Sequence, residues 1–424
     1  MPAQMGPSMT AQTSDGGPRG LLLILAATAA AGVSGYAIQI LAPALLEDAE
    51  AYLAFSAFWS ALFLIGSAVG GIQQEVARAT SPAKLATPHR TIRRFTIGGA
   101  VAVAVLTAAV GIIVGPAAFG PGHVPIVGAL VIGLLGYVLT AVLTGLFYGL
   151  GALGSVAALI AVDAALRGAA VVVGLLVGAS IDVIAYLVAL PFGLAVLMVW
   201  RFARAKVVGR YTLDAEDAVL VRNSLSTVVA AGSIGVMVTG MPLLFRVSLA
   251  DASAVTIASL TLVVTLTRAP FIIPLMALQS YLVVGFRDEP ESARSRVRNY
   301  LLIALGAGAL AALAAIPVGP WLVGVISGER YTTDGLTSAI VVMSAALVGC
   351  MCITGPALLA ERRHGAYASG WVTAAVVTVG VLVLTPSEAP VRALLALLAS
   401  PIVGLVLHGW WLARRSSVPP GHEG

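Results

Sequence analysis

Long apolar stretches alternate with short polar breaks along the whole chain. Twelve of them reach or approach the roughly 20 residues that a helix needs to cross about 30 Å of hydrocarbon. Their limits fall near 20–41, 51–73, 96–119, 124–148, 154–178, 181–200, 224–245, 253–285, 300–323, 336–359, 366–385 and 390–413. The breaks hold most of the charge, as in Glu47-Asp48-Ala49-Glu50 and Arg287-Asp288-Glu289-Pro290, and only Ala179-Ser180 separates the fifth stretch from the sixth. Leu21 to Leu41 is long for the core of a signal peptide and reads as a first span. The pattern predicts an all-α, polytopic transmembrane bundle of about twelve helices.

Composition makes the membrane unavoidable. Of 424 residues, 59% are hydrophobic and 10% are charged, against about 25% charged in soluble domains; the mean hydropathy is +0.99. So few charged side chains cannot cover a soluble globule of this size, which excludes a soluble enzyme, a disordered chain and a nucleic-acid-binding protein. The net charge of +5 then reports topology. With the N-terminus inside, 19 of the 24 Lys and Arg fall on inner segments and only Arg246, Arg330 and Arg392 on outer ones. That bias predicts a cytoplasmic-membrane protein with both termini cytoplasmic.

The longest inner loop, 201–223, reads as a cytoplasmic linker between a six-helix bundle at 20–200 and a second at 224–413, with disordered cytoplasmic tails at 1–19 and 414–424. Six spans return the chain to its starting side. The halves therefore share one orientation and are related by a pseudo-twofold along the membrane normal.

Motifs for soluble chemistry fail on context. Gly149-Leu150-Gly151-Ala152-Leu153-Gly154 matches G-x-G-x-x-G but follows an apolar helix rather than a strand, so it reads as a turn between helices. Both lysines, Lys84 and Lys206, follow Ala, so neither completes a Walker A loop. The five histidines lack ligand spacing, and Cys350 and Cys352 point in different directions on one helix. No cofactor or metal is expected. Glu47, Asp48 and Glu50 are the acids a membrane glycosyltransferase would place in a first external loop; the alternative is a solvated turn.

Ionisable groups inside spans are costly and are candidate sites. Asp163 and Arg167 lie four apart on one face of the fifth span, as a self-neutralising ion pair or a switchable one. Glu75 and Arg78 lie three apart at the inner end of the second span, after Gln74. Arg268 stands midway along the eighth span with no acid one turn away, and Pro270 and Pro274 interrupt that helix's hydrogen bonding. It reads as a cation facing a water-filled cavity and suited to phosphate, or as one satisfied by carbonyls freed in its own bundle.

Three segments carry a resemblance: Phe58-Trp59 leading to Gly70-Gly71-Ile72-Gln73-Gln74-Glu75-Val76-Ala77-Arg78; Gly145-Leu146-Phe147-Tyr148-Gly149-Leu150-Gly151 running into Asp163-Ala164-Ala165-Leu166-Arg167; and Thr239-Gly240-Met241-Pro242 with Thr267-Arg268-Ala269-Pro270. They resemble the polysaccharide-export flippases of the multidrug/oligosaccharidyl-lipid/polysaccharide (MOP) superfamily. The resemblance implies two six-helix bundles around a V-shaped central cavity, alternating access, and a polyprenyl-diphosphate-linked glycan as cargo. Typical members carry several cavity cations, whereas only Arg167 and Arg268 lie well inside spans here. On this reading Arg268, Arg167 and Asp163 bind substrate, and Glu75, Arg78 and Gln74 form an inner gate. A drug/cation antiporter of the same superfamily, with Asp163 as ion site, and a membrane glycosyltransferase remain as alternatives.

Overall fold

In the computed structural model the apolar stretches become helices, described over residues 18–83, 90–214, 217–288 and 290–414. The first half comprises α1 (Pro18–Leu45), α2 (Ala49–Ala79), β1 (Thr80–Pro82), α3 (Arg90–Phe119), α4 (Val124–Gly149), α5 (Leu153–Leu176) and α6 (Ile181–Val207). After β2 (Tyr211–Leu213) the second half comprises α7 (Asp217–Val238), α8 (Met241–Ser248), α9 (Ala254–Asp288), α10 (Pro290–Ser327), α11 (Gly335–Ala360), α12 (His364–Leu384) and α13 (Ala389–Ala413). Eleven helices are long and apolar enough to span a membrane. Together with the 35-residue α9 they make twelve passes among the described residues, so the start of α1 and the end of α13 lie on one side, called here the terminal end.

The two halves repeat one packing scheme. The neighbours α2–α4, α4–α6, α3–α4 and α5–α6 recur as α9–α11, α11–α13, α10–α11 and α12–α13. The scheme fixes which helices form the interior. In α2 and α11, 67% of the most apolar stretch is buried, against 11% in α3 and α10, which carry apolar side chains outward to lipid. Internal packing of this kind needs small residues where backbones meet. A Cβ on Gly71 of α2 would fall 2.6 Å from the Val228 backbone nitrogen of α7.

Four expectations change. The seventh pass is two helices: α7 stops at Val238 and α8 starts at Met241, because Pro242 in the first turn of α8 starts a helix but cannot continue one. By contrast α9 runs unbroken through Pro270 and Pro274, so neither proline ends the helix of Arg268. The linker is far shorter than 201–223: α6 continues to Val207 and α7 begins at Asp217, and the strand between them pairs antiparallel with β1, Thr80 opposite Leu213. Of the two tails, Pro18 and Arg19 already belong to α1; residues 1–17 and 415–424 lie outside the described residues.

The halves meet along two seams that the pseudo-twofold relates, α2 with α7–α8 and α1 with α9. The first is closed from mid-depth to the terminal end. Ser60 Oγ donates to the Thr239 carbonyl (2.6 Å), Ser67 Oγ to Ala231 (3.0 Å) and Thr227 Oγ1 to Gly71 (3.0 Å). Along the second seam, one hydrogen bond crosses among the described residues, Tyr36 Oη to the Leu266 carbonyl at 2.9 Å. At the far end the loops lock the halves together. Arg330 Nη1 donates to Leu46 (2.6 Å) while Nη2 takes the Ala44 carbonyl at the end of α1. The Tyr52 and Tyr331 rings stack 5.5 Å apart.

Candidate functional site

A cavity of about 320 Å³ sits at mid-depth between the halves, walled by α1, α2, α5, the α7–α8 break and α9. Asp163, Arg167 and Arg268 all line it, with Gly32, Ser34, Tyr36, Gln39, Trp59, Ser60 and Phe63 on the first-half wall. The Asp163/Arg167 pair of α5 and Arg268 of α9, distant in sequence, thus share one compartment. Gln74, Glu75 and Arg78 do not reach it.

Its chemistry begins with interrupted backbones. The last carbonyls of an ending helix have no intrahelical donor. At the end of α7, the Thr239 carbonyl accepts from Ser60 Oγ, which in turn accepts from the Leu243 N–H of α8 at 3.2 Å. The Met237 carbonyl accepts from Arg268 Nη1. On α9, Pro270 has no N–H to offer Leu266 four residues earlier, and Tyr36 of the other half donates there instead. The α7–α8 break and the Pro270 site are thus both answered by side chains at the cavity.

Arg268 is 3% exposed. Its single hydrogen bond leaves Nε and Nη2 buried without a partner, and no acid forms an ion pair with it among the described residues. A carbonyl at the end of α7 takes one nitrogen, and the other two are buried beside the cavity without a partner. A guanidinium buried with unpaired donors is unfavourable until an acceptor reaches them.

Arg167 does pair with Asp163, one turn away on α5 as the spacing predicts. Asp163 Oδ1 and Arg167 Nη1 nevertheless remain unpartnered and buried. The Arg167 guanidinium lies 3.9 Å above the Phe192 ring of α6 and 5.3 Å from that of Phe63, so aromatic faces share its charge. Two guanidiniums against one carboxylate leave the cavity positive.

Glu75 and Arg78 sit at the terminal end of the closed seam. Arg78 grips the Glu75 carboxylate through Nε (2.9 Å) and Nη2 (2.7 Å), Asn223 Nδ2 of α7 donates to Glu75 at 3.0 Å, and Arg78 reaches Asp214 at 3.5 Å. Gln74 is exposed, turned about 100° from Glu75 around α2, and makes no hydrogen bond to this cluster among the described residues. The far-end acids have structural roles: Asp48 Oδ1 caps α2 by accepting from Ala51 N–H (2.8 Å), and Glu50 pairs with Arg246 (2.5 Å). Gly151, at φ +68°, forms the α4–α5 turn, so the G-x-G-x-x-G segment is a helix–helix connection. His408 is held in the core of the second half by Thr354 Oγ1 (2.9 Å) and the Tyr367 carbonyl (3.1 Å). Among the described residues no group of three His, Cys, Asp or Glu is placed to hold a metal.

Sequence reasoning missed Tyr36, Ser60 and Phe192. Hydroxyls on apolar helices give no signal of their own, although Pro270 and Pro242 mark the backbone groups these two hydroxyls would have to satisfy. Trp59, from the first of the three resemblance segments, also lines the cavity.

With this geometry in place, comparison with other proteins identifies the fold. No family model matches the chain. Among curated proteins of Mycobacterium tuberculosis H37Rv, uncharacterized protein Rv1510 is 32% identical over 397 residues and uncharacterized protein Rv3630 is 30% identical over 400. Each alignment covers 92% of this chain and 90% of the relative. Among solved structures, the lipid II flippase MurJ in an inward closed conformation superposes with a TM-score of 0.65 at 10% identity, over 93% of this chain and 88% of that one. An inward-facing multidrug resistance MATE family transporter of the MOP superfamily gives 0.62 at 14% identity, over 88% and 92%. The outward-facing conformation of such a transporter gives 0.59 at 13%, over 93% and 94%.

Proposed function

Because the chain belongs to the family of the mycobacterial proteins Rv1510 and Rv3630 and has the fold shared by MATE transporters and MurJ, we propose that it is a flippase that carries a polyprenyl-diphosphate-linked glycan across the cytoplasmic membrane by alternating access. The observation that carries this reading is Arg268, buried at mid-depth beside the cavity with two unpaired nitrogens and no ion pair among the described residues. A diphosphate supplies what those donors lack, in the forked geometry that guanidinium prefers.

Arg268 binds the diphosphate, and Arg167 adds a second cation when Asp163 releases it. The terminal end faces the cytoplasm, as the cation bias expects. The cargo headgroup enters between α1 and α9, where the halves are least joined, and its polyprenyl tail stays in lipid; a volume of about 320 Å³ suits a headgroup and not a whole lipid. Glu75 and Arg78 form the fixed post of the inner gate, holding α2 to α7 while the opposite seam moves. The domains act as two rigid bundles, and no cofactor takes part.

The same scaffold would serve a drug/cation antiporter, for which Asp163 is the one candidate ion site. Its carboxylate is paired with Arg167 and shares the cavity with a second guanidinium, an environment that repels cationic cargo. The experiment uses the purified protein in liposomes, with two cargoes. A fluorescent undecaprenyl-diphosphate glycan is expected to cross at least about tenfold faster than in empty liposomes. A fluorescent cation is expected not to accumulate under an imposed proton or sodium gradient. Accumulation of the cation without glycan translocation overturns the proposal in favour of the antiporter.

A further inference from the structure

Well away from the central cavity, a second one of about 620 Å³ opens at the terminal end of the second half, between the end of α9, the start of α10 and the ends of α11 and α13. Its lining changes character with depth. Arg287, Arg294 and Arg298 stand at its mouth, and Phe286, Val297, Leu301, Leu302, Leu305 and Leu412 form its walls.

The charges do not balance internally. Arg287 pairs with Asp288 at 3.1 Å, and the Glu361 carboxylate pairs with Arg363 at 3.2 Å. Arg294 and Arg298 are exposed, four apart on one face of α10, and neither has an ion pair or hydrogen bond among the described residues. Like charges at this spacing repel across one helical turn, so an anion bridging them relieves the repulsion and satisfies donors at once.

The depth matches the membrane interface. Arg414 stacks on Trp410 with its guanidinium 3.5 Å from the ring centroid, beside Leu412 and Ala413 of the cavity wall, and tryptophan marks the headgroup level. From Arg298 to Leu305 the helix rises about 10 Å, the passage from headgroup to acyl chain. A free anion would use only the cationic mouth and leave the apolar walls uncovered.

We infer that this cavity is a binding site for an anionic glycerophospholipid of the surrounding leaflet, its phosphate between Arg294 and Arg298 and one acyl chain lying along Leu301, Leu302, Leu305 and Leu412. The site is separate from the cargo cavity and does not depend on what the protein transports.

The test is native mass spectrometry of the full chain in detergent, with palmitoyl-oleoyl phosphatidylglycerol or the matching phosphatidylcholine as probe. Wild type is expected to retain phosphatidylglycerol at least fivefold over phosphatidylcholine. Arg294→Gln/Arg298→Gln is expected to abolish that preference, and Leu302→Trp to reduce it with every cation in place. Arg201→Gln/Arg204→Gln, at the same end on α6, is expected to keep it. Equal retention of the two lipids overturns the proposal, as does an unchanged preference in either pocket variant or an equal loss in the α6 control. Complete displacement of phosphatidylglycerol by equimolar glycerol 3-phosphate overturns it too, since the site would then recognise a free phosphate.

Discussion

The seam of α2 with α7–α8 and the seam of α1 with α9 are pseudo-symmetric, yet they are built in opposite ways. The first is fastened by Ser60, Ser67, Thr227 and the Glu75–Asn223 contact, with Gly71 letting the backbones touch. The second is crossed among the described residues by one hydrogen bond, that of Tyr36, and borders the cavity, with two Arg268 nitrogens unpartnered beside it. A repeated scaffold places equivalent helices in equivalent positions, but side chains decide which junction is fixed and which can part. In the proposed flippase the fastened seam is the hinge and the loose seam is the doorway.

The sharpest way to test that contrast is to remove the group that gives the loose seam its chemistry. Arg268→Ala deletes two charge-assisted hydrogen bonds to a bound diphosphate, each contributing about 1.5–3 kcal/mol. Glycan translocation in liposomes is expected to fall at least about 100-fold, with the melting temperature held or raised because an uncompensated buried charge is gone. Unchanged translocation removes Arg268 from the site.

Next in size is a pair of matched substitutions. Gly71→Ala pushes a methyl into the α7 backbone 2.6 Å away, an overpacking that costs about 1–3 kcal/mol. Gly32→Ala, on α1 where a Cβ meets nothing within 4 Å, is expected to leave thermal stability unchanged or slightly improved. Equal destabilisation in the two variants would mean that the seams are equally tight.

How much of this was legible in the sequence follows from how local each feature is. Span length is a property of the stretch itself, so the twelve passes and the two halves could be read directly. Asp163 and Arg167 could be paired because four residues is one helical turn. The Met237 carbonyl that holds Arg268, the Phe192 ring under Arg167 and the Tyr36 hydroxyl on Leu266 depend on which helices meet, and one sequence does not encode that pattern locally. The α7–α8 break lies between these cases: Gly240 and Pro242 mark it in the sequence, but the hydrophobic run carries on across it. The β1–β2 pairing was hidden too, since three-residue strands have no periodicity to detect.

A smaller effect is expected at the far end. Arg330 draws together the carbonyls at the end of α1, favourable both as hydrogen bonds and as a cation at a helix C-terminus. Arg330→Ala should cost the closed far end about 1–2 kcal/mol, a shift of roughly fivefold to thirtyfold in its opening equilibrium. Labelling of a cysteine introduced by Ser34→Cys, by an impermeant maleimide added from the far side, reads this directly because the native Cys350 and Cys352 are buried. If labelling does not increase, Arg330 is not what holds that end shut.

The smallest effect is expected at the terminal end of the fastened seam, and it separates a static hinge from a moving gate. The Arg78 side chain is 51% exposed, so its ion pair with Glu75 is screened and contributes less than about 1 kcal/mol. Glu75 itself is buried, and its carboxylate oxygen is what anchors Asn223 of α7. Glu75→Gln removes the charge but keeps an oxygen for Asn223, so stability should fall by only a few tenths of a kcal/mol and translocation should stay within about twofold. Glu75→Ala leaves the Asn223 amide without that acceptor and should cost about 1–3 kcal/mol. If Glu75→Gln instead stops translocation as completely as Arg268→Ala, the charge at Glu75 must change partners during the cycle. The seam taken as hinge would then move with the cargo, and the contrast between the two seams would describe one state of the protein and not its mechanism.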